Sequence, residues 1–163
     1  MLVAGFAVMA SFPVIGRGQD EITLEVNLVD GGSSIDFGRL RNLGTDGNPV
    51  NENAIRRVRL IIKPALGNVK PYIVTQILDT ELSNQAGSSV SSGSMTYRVE
   101  EESGTGTVRV PEQTPLTAGE QEIYQSNPEG GNAQLLLTYD LTTSQEQQAG
   151  SYRGSITYRV STL

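Results

Sequence analysis

This chain of 163 residues has no cysteine, no histidine and no tryptophan. Without cysteine there can be no disulfide, thiolate metal site or cysteine nucleophile; without histidine the commonest general base and the imidazole metal ligand are missing. Most familiar catalytic constellations are thereby removed, and neither enzyme activity nor a cofactor is expected. Basic residues are few, 12 Lys plus Arg against 18 Asp plus Glu, for a formal charge of −6. No basic stripe is available to follow a phosphate backbone, which argues against nucleic acid as a partner. The sequence also lacks an Asn-x-Ser/Thr site for N-glycosylation.

What is present is 18 glycines, abundant Ser, Thr, Gln and Asn, and short runs of β-branched residues. That composition favours many short strands joined by turns, and the length suits one domain with a real core. The N-terminus, Met1 to Gly18, reads MLVAGFAVMASFPVIGRG. Its apolar part is about fifteen residues long, short of the roughly 20 that a spanning helix needs. It reads as a signal peptide or its remnant, which makes residues 19–163 an exported domain with no stable membrane span after processing. The competing reading is a buried first strand, although Gly5 and Pro13 interrupt it.

From Glu21 to Val29 the alternation is the cleanest in the chain: Ile22, Leu24, Val26 and Leu28 share one face of a strand. A turn at Asp30–Ser34 leads to Ile35-Asp36-Phe37-Gly38, with Phe37 as a buried structural anchor. Asp46, Gly47, Asn48, Asn51, Glu52 and Asn53 invite comparison with a calcium loop, but their spacing does not match one and Pro49 breaks the run. Ala54–Lys63 fits either period, and its β-branched content and the following Pro64 favour a strand with Arg57, Arg59 and Lys63 outward. Tyr72–Leu78 reads as a strand, a helix over Tyr72–Leu82 being the alternative, and Asp79–Gly93 as a long loop anchored by Leu82 and Val90.

Ser94–Val99 nearly repeats Ser155–Val160 at a separation of 61 residues, as two strands facing one core. Thr107–Val110 is a short strand ended by Pro111, and Pro128–Gly131 is a strong turn. Leu135, Leu137, Tyr139 and Leu141 share a face of Ala133–Leu141, which is expected to pair with the last strand as an antiparallel hairpin. In that last strand Ile156, Tyr158 and Val160 alternate with polar residues, and Tyr152 precedes it where a tyrosine corner would sit. The sum is an all-β, Ig-like two-sheet β-sandwich of about eight to ten short antiparallel strands. Glu100 with Glu102, or Asp140 with Glu146, are the carboxylate pairs an acid–base glycosidase would need; acidic residues in such positions are ordinarily just solvated.

The ending LLLTYDLTTSQEQQAGSYRGSITYRV, with Ala149, Gly150 and Tyr152 in an Ala-Gly-x-Tyr turn, resembles spore coat protein U-like domains and the related archaic chaperone-usher pilins. Ile35–Gly38 is similar to the Leu-x-Phe-Gly of that family, and Ser94–Val99 to its middle strand. The cysteine pair common there is missing. The resemblance implies a secreted structural subunit of a cell-surface or pilus-like assembly, in transit through the periplasm with a chaperone as one partner and related subunits or other copies as the rest. It implies strand addition: an N-terminal donor strand with Ile22, Leu24, Val26 and Leu28, and an acceptor edge at Ile156, Tyr158 and Val160. The plainer alternative pairs Glu21–Val29 within its own domain. A similar Ala-Gly-x-Tyr ending occurs in WxL-type wall-binding domains, whose tryptophan motif is absent here. A monomeric extracellular module binding glycan or cell wall is the functional alternative, and it would want exposed aromatics.

Overall fold

The computed structural model describes residues 4–10, 22–31, 35–38, 40–41, 50–51, 55–65, 70–84, 87–90, 92–142 and 152–163; at 4–10, 36–38, 40–41, 50–51, 92 and 153 the description is of the backbone alone. The strands in chain order are β1 (Ala4–Ala10), β2 (Ile22–Leu28), β3 (Ile35–Gly38), β4 (Leu40–Arg41), β5 (Val50–Asn51), β6 (Ile55–Pro64) and β7 (Tyr72–Ser83). They continue with β8 (Met95–Ser103), β9 (Thr107–Val108), β10 (Thr114–Pro115), β11 (Gly119–Gln125), β12 (Ala133–Leu141) and β13 (Arg153–Thr162). A 3₁₀ turn at Ser92–Ser94 is the sole helical element among the described residues.

Nine strands make two antiparallel ladders, β10-β8-β12-β6-β2 and β13-β7-β11-β9. The second is extended beyond β13 by β1, which runs parallel to β13, and then by β3, which runs antiparallel to β1. Among the described residues strands β4 and β5 pair only with each other. The two main sheets face one another around a shared core, so the fold is the two-sheet sandwich expected from composition and strand spacing.

Strand β12 shows why the layers pack as they do. Its Ala133, Leu135, Leu137, Tyr139 and Leu141 are buried and the residues between are half-covered, the signature of a central strand. Val58, Leu60 and Ile62 of β6 and Met95, Tyr97 and Val99 of β8 flank it on the same face. Each such aliphatic side chain contributes about 1.5–3 kcal/mol by leaving water.

The expected hairpin between Ala133–Leu141 and the last strand does not form. β12 pairs with β6 and β8, whereas β13 lies in the opposite sheet against β7 and β1. Alternation shows which face of a strand is buried, not which strand lies beside it, and the segment between these two is long enough to change sheets.

Tyr72 onward is strand, and it continues to Ser83, beyond the expected end at Leu78. Its mixed pattern has a physical cause: Tyr72, Val74, Gln76 and Leu78 face the core, so a glutamine occupies an inward position while Ile73 and Ile77 are half-covered outside. Leu82 and Val90 are both buried, as expected, and Val90 N–H donates to Leu82 C=O at 2.7 Å. The turn at Pro128–Gly131 also forms. Gly130 has φ +64°, and a Cβ there would lie 2.5 Å from Lys70 O, so no other residue fits.

Candidate assembly edges

Strand β13 is built from an alternating segment whose Ile156 and Tyr158 are fully buried and whose Val160 is partly buried against the core. On one side it pairs with β7 from Arg153↔Ser83 to Thr162↔Tyr72, with register shifts around Ser155. Gly154 sits at that irregularity. A Cβ there would come within 2.7 Å of Thr80 O, so glycine lets the two backbones close up. Just before the strand, Tyr152 is fully buried.

The other side of β13 is occupied by β1, in the register Gly5↔Arg153 through Val8↔Ile156 to Ala10↔Tyr158. The segment read from sequence as the core of a leader thus lies along the edge expected to accept a strand. Sequence reasoning did not place it there, because an apolar segment without polar alternation carries no partner information.

Strand β2 lies elsewhere. Ile22 and Leu24 are buried, Val26 and Leu28 are partly so, and all four face the core from the rim of the other sheet. β2 pairs with β6 without a break from Ile22↔Pro64 to Leu28↔Val58. Ion pairs tie its middle and the turn after it: Lys63 Nζ lies 3.1 Å from Glu25 Oε2, and Asp30 receives the Arg57 backbone N–H at 2.7 Å and its guanidinium at 2.9 Å. Within this chain the four residues expected as donors pair with β6, while Ile156, Tyr158 and Val160 lie in the facing sheet, so the two sets are not strand neighbours.

The remaining candidates resolve into surface or core. Arg57, Arg59 and Lys63 all point outward and each meets a carboxylate, on Asp30, Glu102 and Glu25 respectively. Glu102 accepts two bonds from Arg59 and one from Gln134, and these hold its carboxyl below the usual range and therefore ionised. Glu100 pairs with Arg98. Both glutamates stand on the outer face of a sheet, each paired with an arginine. Glu146 lies outside the described residues, as do Asp46, Gly47, Asn48, Glu52 and Asn53, and the side chains of Phe37 and Asn51 are likewise outside the description. Among the described residues no three potential ligands cluster for a metal.

All six tyrosines are buried, so none presents a ring to a sugar. Several form a core polar chain: Tyr139 donates to Gln76 Oε1 at 2.8 Å, and its oxygen lies 2.6 Å from that of Tyr158. Because the one Tyr139 proton goes to Gln76, Tyr158 is the donor to Tyr139. Gln76 Nε2 then donates to Gln121, and Gln121 to Thr117, carrying the chain outward. Tyr97 stacks on Tyr139, its cross-strand neighbour in the same sheet, at 6.0 Å between ring centroids, and Tyr139 in turn meets Tyr158 of the opposite sheet.

No protein-family model matches this sequence, and no curated protein does.

Proposed function

We propose that this chain is a secreted structural subunit of a surface assembly, joined to its neighbours by addition of an N-terminal strand at the outer edge of β13. The observation that carries this reading is the pairing of β1 with β13: the edge is filled by a segment from the far end of the chain, in parallel, not by a neighbour in sequence. Parallel pairs are slightly less stable per residue than antiparallel ones, so a strand supplied by another molecule has something to gain by replacing β1. Extended segments recognise such edges through backbone bonds, with alternate side chains filling the core. The likeness to spore coat protein U-like domains and archaic pilins points the same way. Of the two apolar N-terminal segments, Ala4–Ala10 is the donor favoured here, since β2 is held along its whole length by β6. In this reading the exported chain keeps Ala4–Ala10, which leaves its own β13 to enter that of a neighbour, with a chaperone covering the vacated edge in transit.

The test compares the full chain with residues 19–163 by light scattering and urea unfolding. The shorter chain is expected to be less stable and to associate beyond the size of the full chain as concentration rises, and an added peptide of residues 4–10 should restore the stability and size of the full chain. If the shorter chain matches the full chain in stability and size and ignores the peptide, β13 needs no strand and the reading fails.

A further inference from the structure

Among the described residues the outer edge of β2 is unpaired, which makes it a second place where this fold can be extended, and its pattern identifies the occupant. Three of the four terminal strands of the two sheets are short: β3 has four residues, β9 two, and β10 two including Pro115, which has no N–H to offer. β2 is the exception, with seven regular residues and no proline, glycine or bulge, and among the described residues only β6 pairs with it. Such an edge is a template for another strand.

The internal ladder fixes which backbone groups face outward. Val29 N–H donates to Arg57 C=O at 3.0 Å, so the odd-numbered residues of β2 turn their N–H and C=O toward β6. By alternation, those of Leu24, Val26 and Leu28 point away from it, with the Leu28 carbonyl also receiving Gly31 N–H at 3.3 Å. An incoming strand must meet these even positions.

Burial falls along the same strand. Ile22 and Leu24 are already covered, Val26 and Leu28 are partly covered, and Val29 is 38% exposed. The uncovered apolar surface therefore lies at the C-terminal half, and a partner strand gains most when centred on Val26.

We propose that this edge pairs with the same edge of a second copy, antiparallel, about a two-fold axis at Val26. In that register Leu24 faces the partner's Leu28 and Val26 faces its equivalent, so outward backbone groups meet outward backbone groups and apolar side chains continue the inner face. On the outer face Glu25 comes opposite the partner's Asn27. A register shifted by one residue on each chain, centred on Glu25, would set the two carboxylates opposite each other and leave Val29 uncovered. The two-fold arrangement also consumes both edges, whereas a head-to-tail contact would leave one exposed. The result is a continuous ten-stranded sheet across two molecules. This pairing is independent of strand addition at β13 and uses the full chain, in which β1 closes that other edge.

The absence of cysteine makes the test clean. Glu25 and Asn27 are exposed and sit opposite each other across the proposed axis in a pair with Cα atoms about 4.5 Å apart, within disulfide range. Full-length Glu25→Cys and Asn27→Cys chains, mixed under mild oxidation, are expected to form chiefly the mixed dimer, identified by intact mass, while each chain alone remains largely uncrosslinked. Unmodified full-length chain should show a dimer by light scattering, and Leu28→Lys should return it to a monomer that still unfolds in a single cooperative urea transition, at a lower midpoint because Leu28 packs against the core. Preferential cross-linking of Glu25→Cys to itself, a statistical mixture of dimers, or a full-length chain that stays monomeric at high concentration overturns the proposal.

Discussion

Replacing Tyr139 by phenylalanine should cost more than replacing Tyr158, although the two hydroxyls touch each other and both are fully buried. The direction of the hydrogen-bond chain decides this. Tyr158 donates to Tyr139, and Tyr139 donates to Gln76 Oε1 at 2.8 Å. Tyr139→Phe strips two buried groups of a partner, the Gln76 carbonyl and the Tyr158 hydroxyl, at about 1–3 kcal/mol for each unsatisfied group. Tyr158→Phe leaves Tyr139 still donating to Gln76 and removes only a bond that Tyr139 accepts, which costs about 1 kcal/mol. In the double variant the orphaned Tyr158 hydroxyl no longer exists, so its cost should be close to that of Tyr139→Phe alone and less than the sum, with a coupling of about 1 kcal/mol or more. Urea unfolding of the four proteins, with slopes checked for constancy, measures all of this. A Tyr158→Phe loss equal to or larger than that of Tyr139→Phe, or simple additivity, would refute the assigned direction.

Two further outcomes follow from the same packing. Gly154→Ala sets a Cβ 2.7 Å from Thr80 O and 3.3 Å from Leu82 N, backbone atoms that cannot rotate away, so β13 must shift against β7; a loss of roughly 1–3 kcal/mol in urea unfolding is expected, and an unchanged midpoint would show that the strands yield freely. At alkaline pH the tyrosines set the limit. Burial, with a smaller contribution from Glu101, pushes Tyr72 up to about 12, and burial pushes Tyr139, Tyr158 and Tyr124 up as well, Tyr124 with help from its bond to Glu101. Unfolded tyrosines ionise near about 10, so the unfolded chain loses protons first: stability is full below that pH and falls as pH rises through and beyond it. Tyrosinate absorbance should therefore rise in step with loss of near-ultraviolet circular dichroism, and ionisation well before unfolding would contradict the buried placement.

Much of the architecture was legible in the residues because alternation is a local property. β2, β3 and β12 fall where period-two runs and glycine-rich turns put them, within a residue at each end. The near-repeat of Ser94–Val99 and Ser155–Val160 also marked two core strands correctly, since Tyr97 and Tyr158 are both buried. β7 was harder to read because Gln76 faces inward, and its place becomes intelligible only with Tyr139 and Gln121 set beside it by other strands.

Sequence by itself determined the class of the fold, the buried face of most strands, and the exclusion of thiol and imidazole chemistry, because composition and periodicity act residue by residue. Tertiary structure alone decided the pairings: that β12 belongs to one sheet and β13 to the other, that β2 is a rim strand of its own domain, and that Ala4–Ala10 lies along β13. Strand neighbours are chosen by competition among all available edges, each offering the same backbone groups, and the winner depends on register, closeness of approach at residues such as Gly154, and the shape of the core those strands jointly enclose.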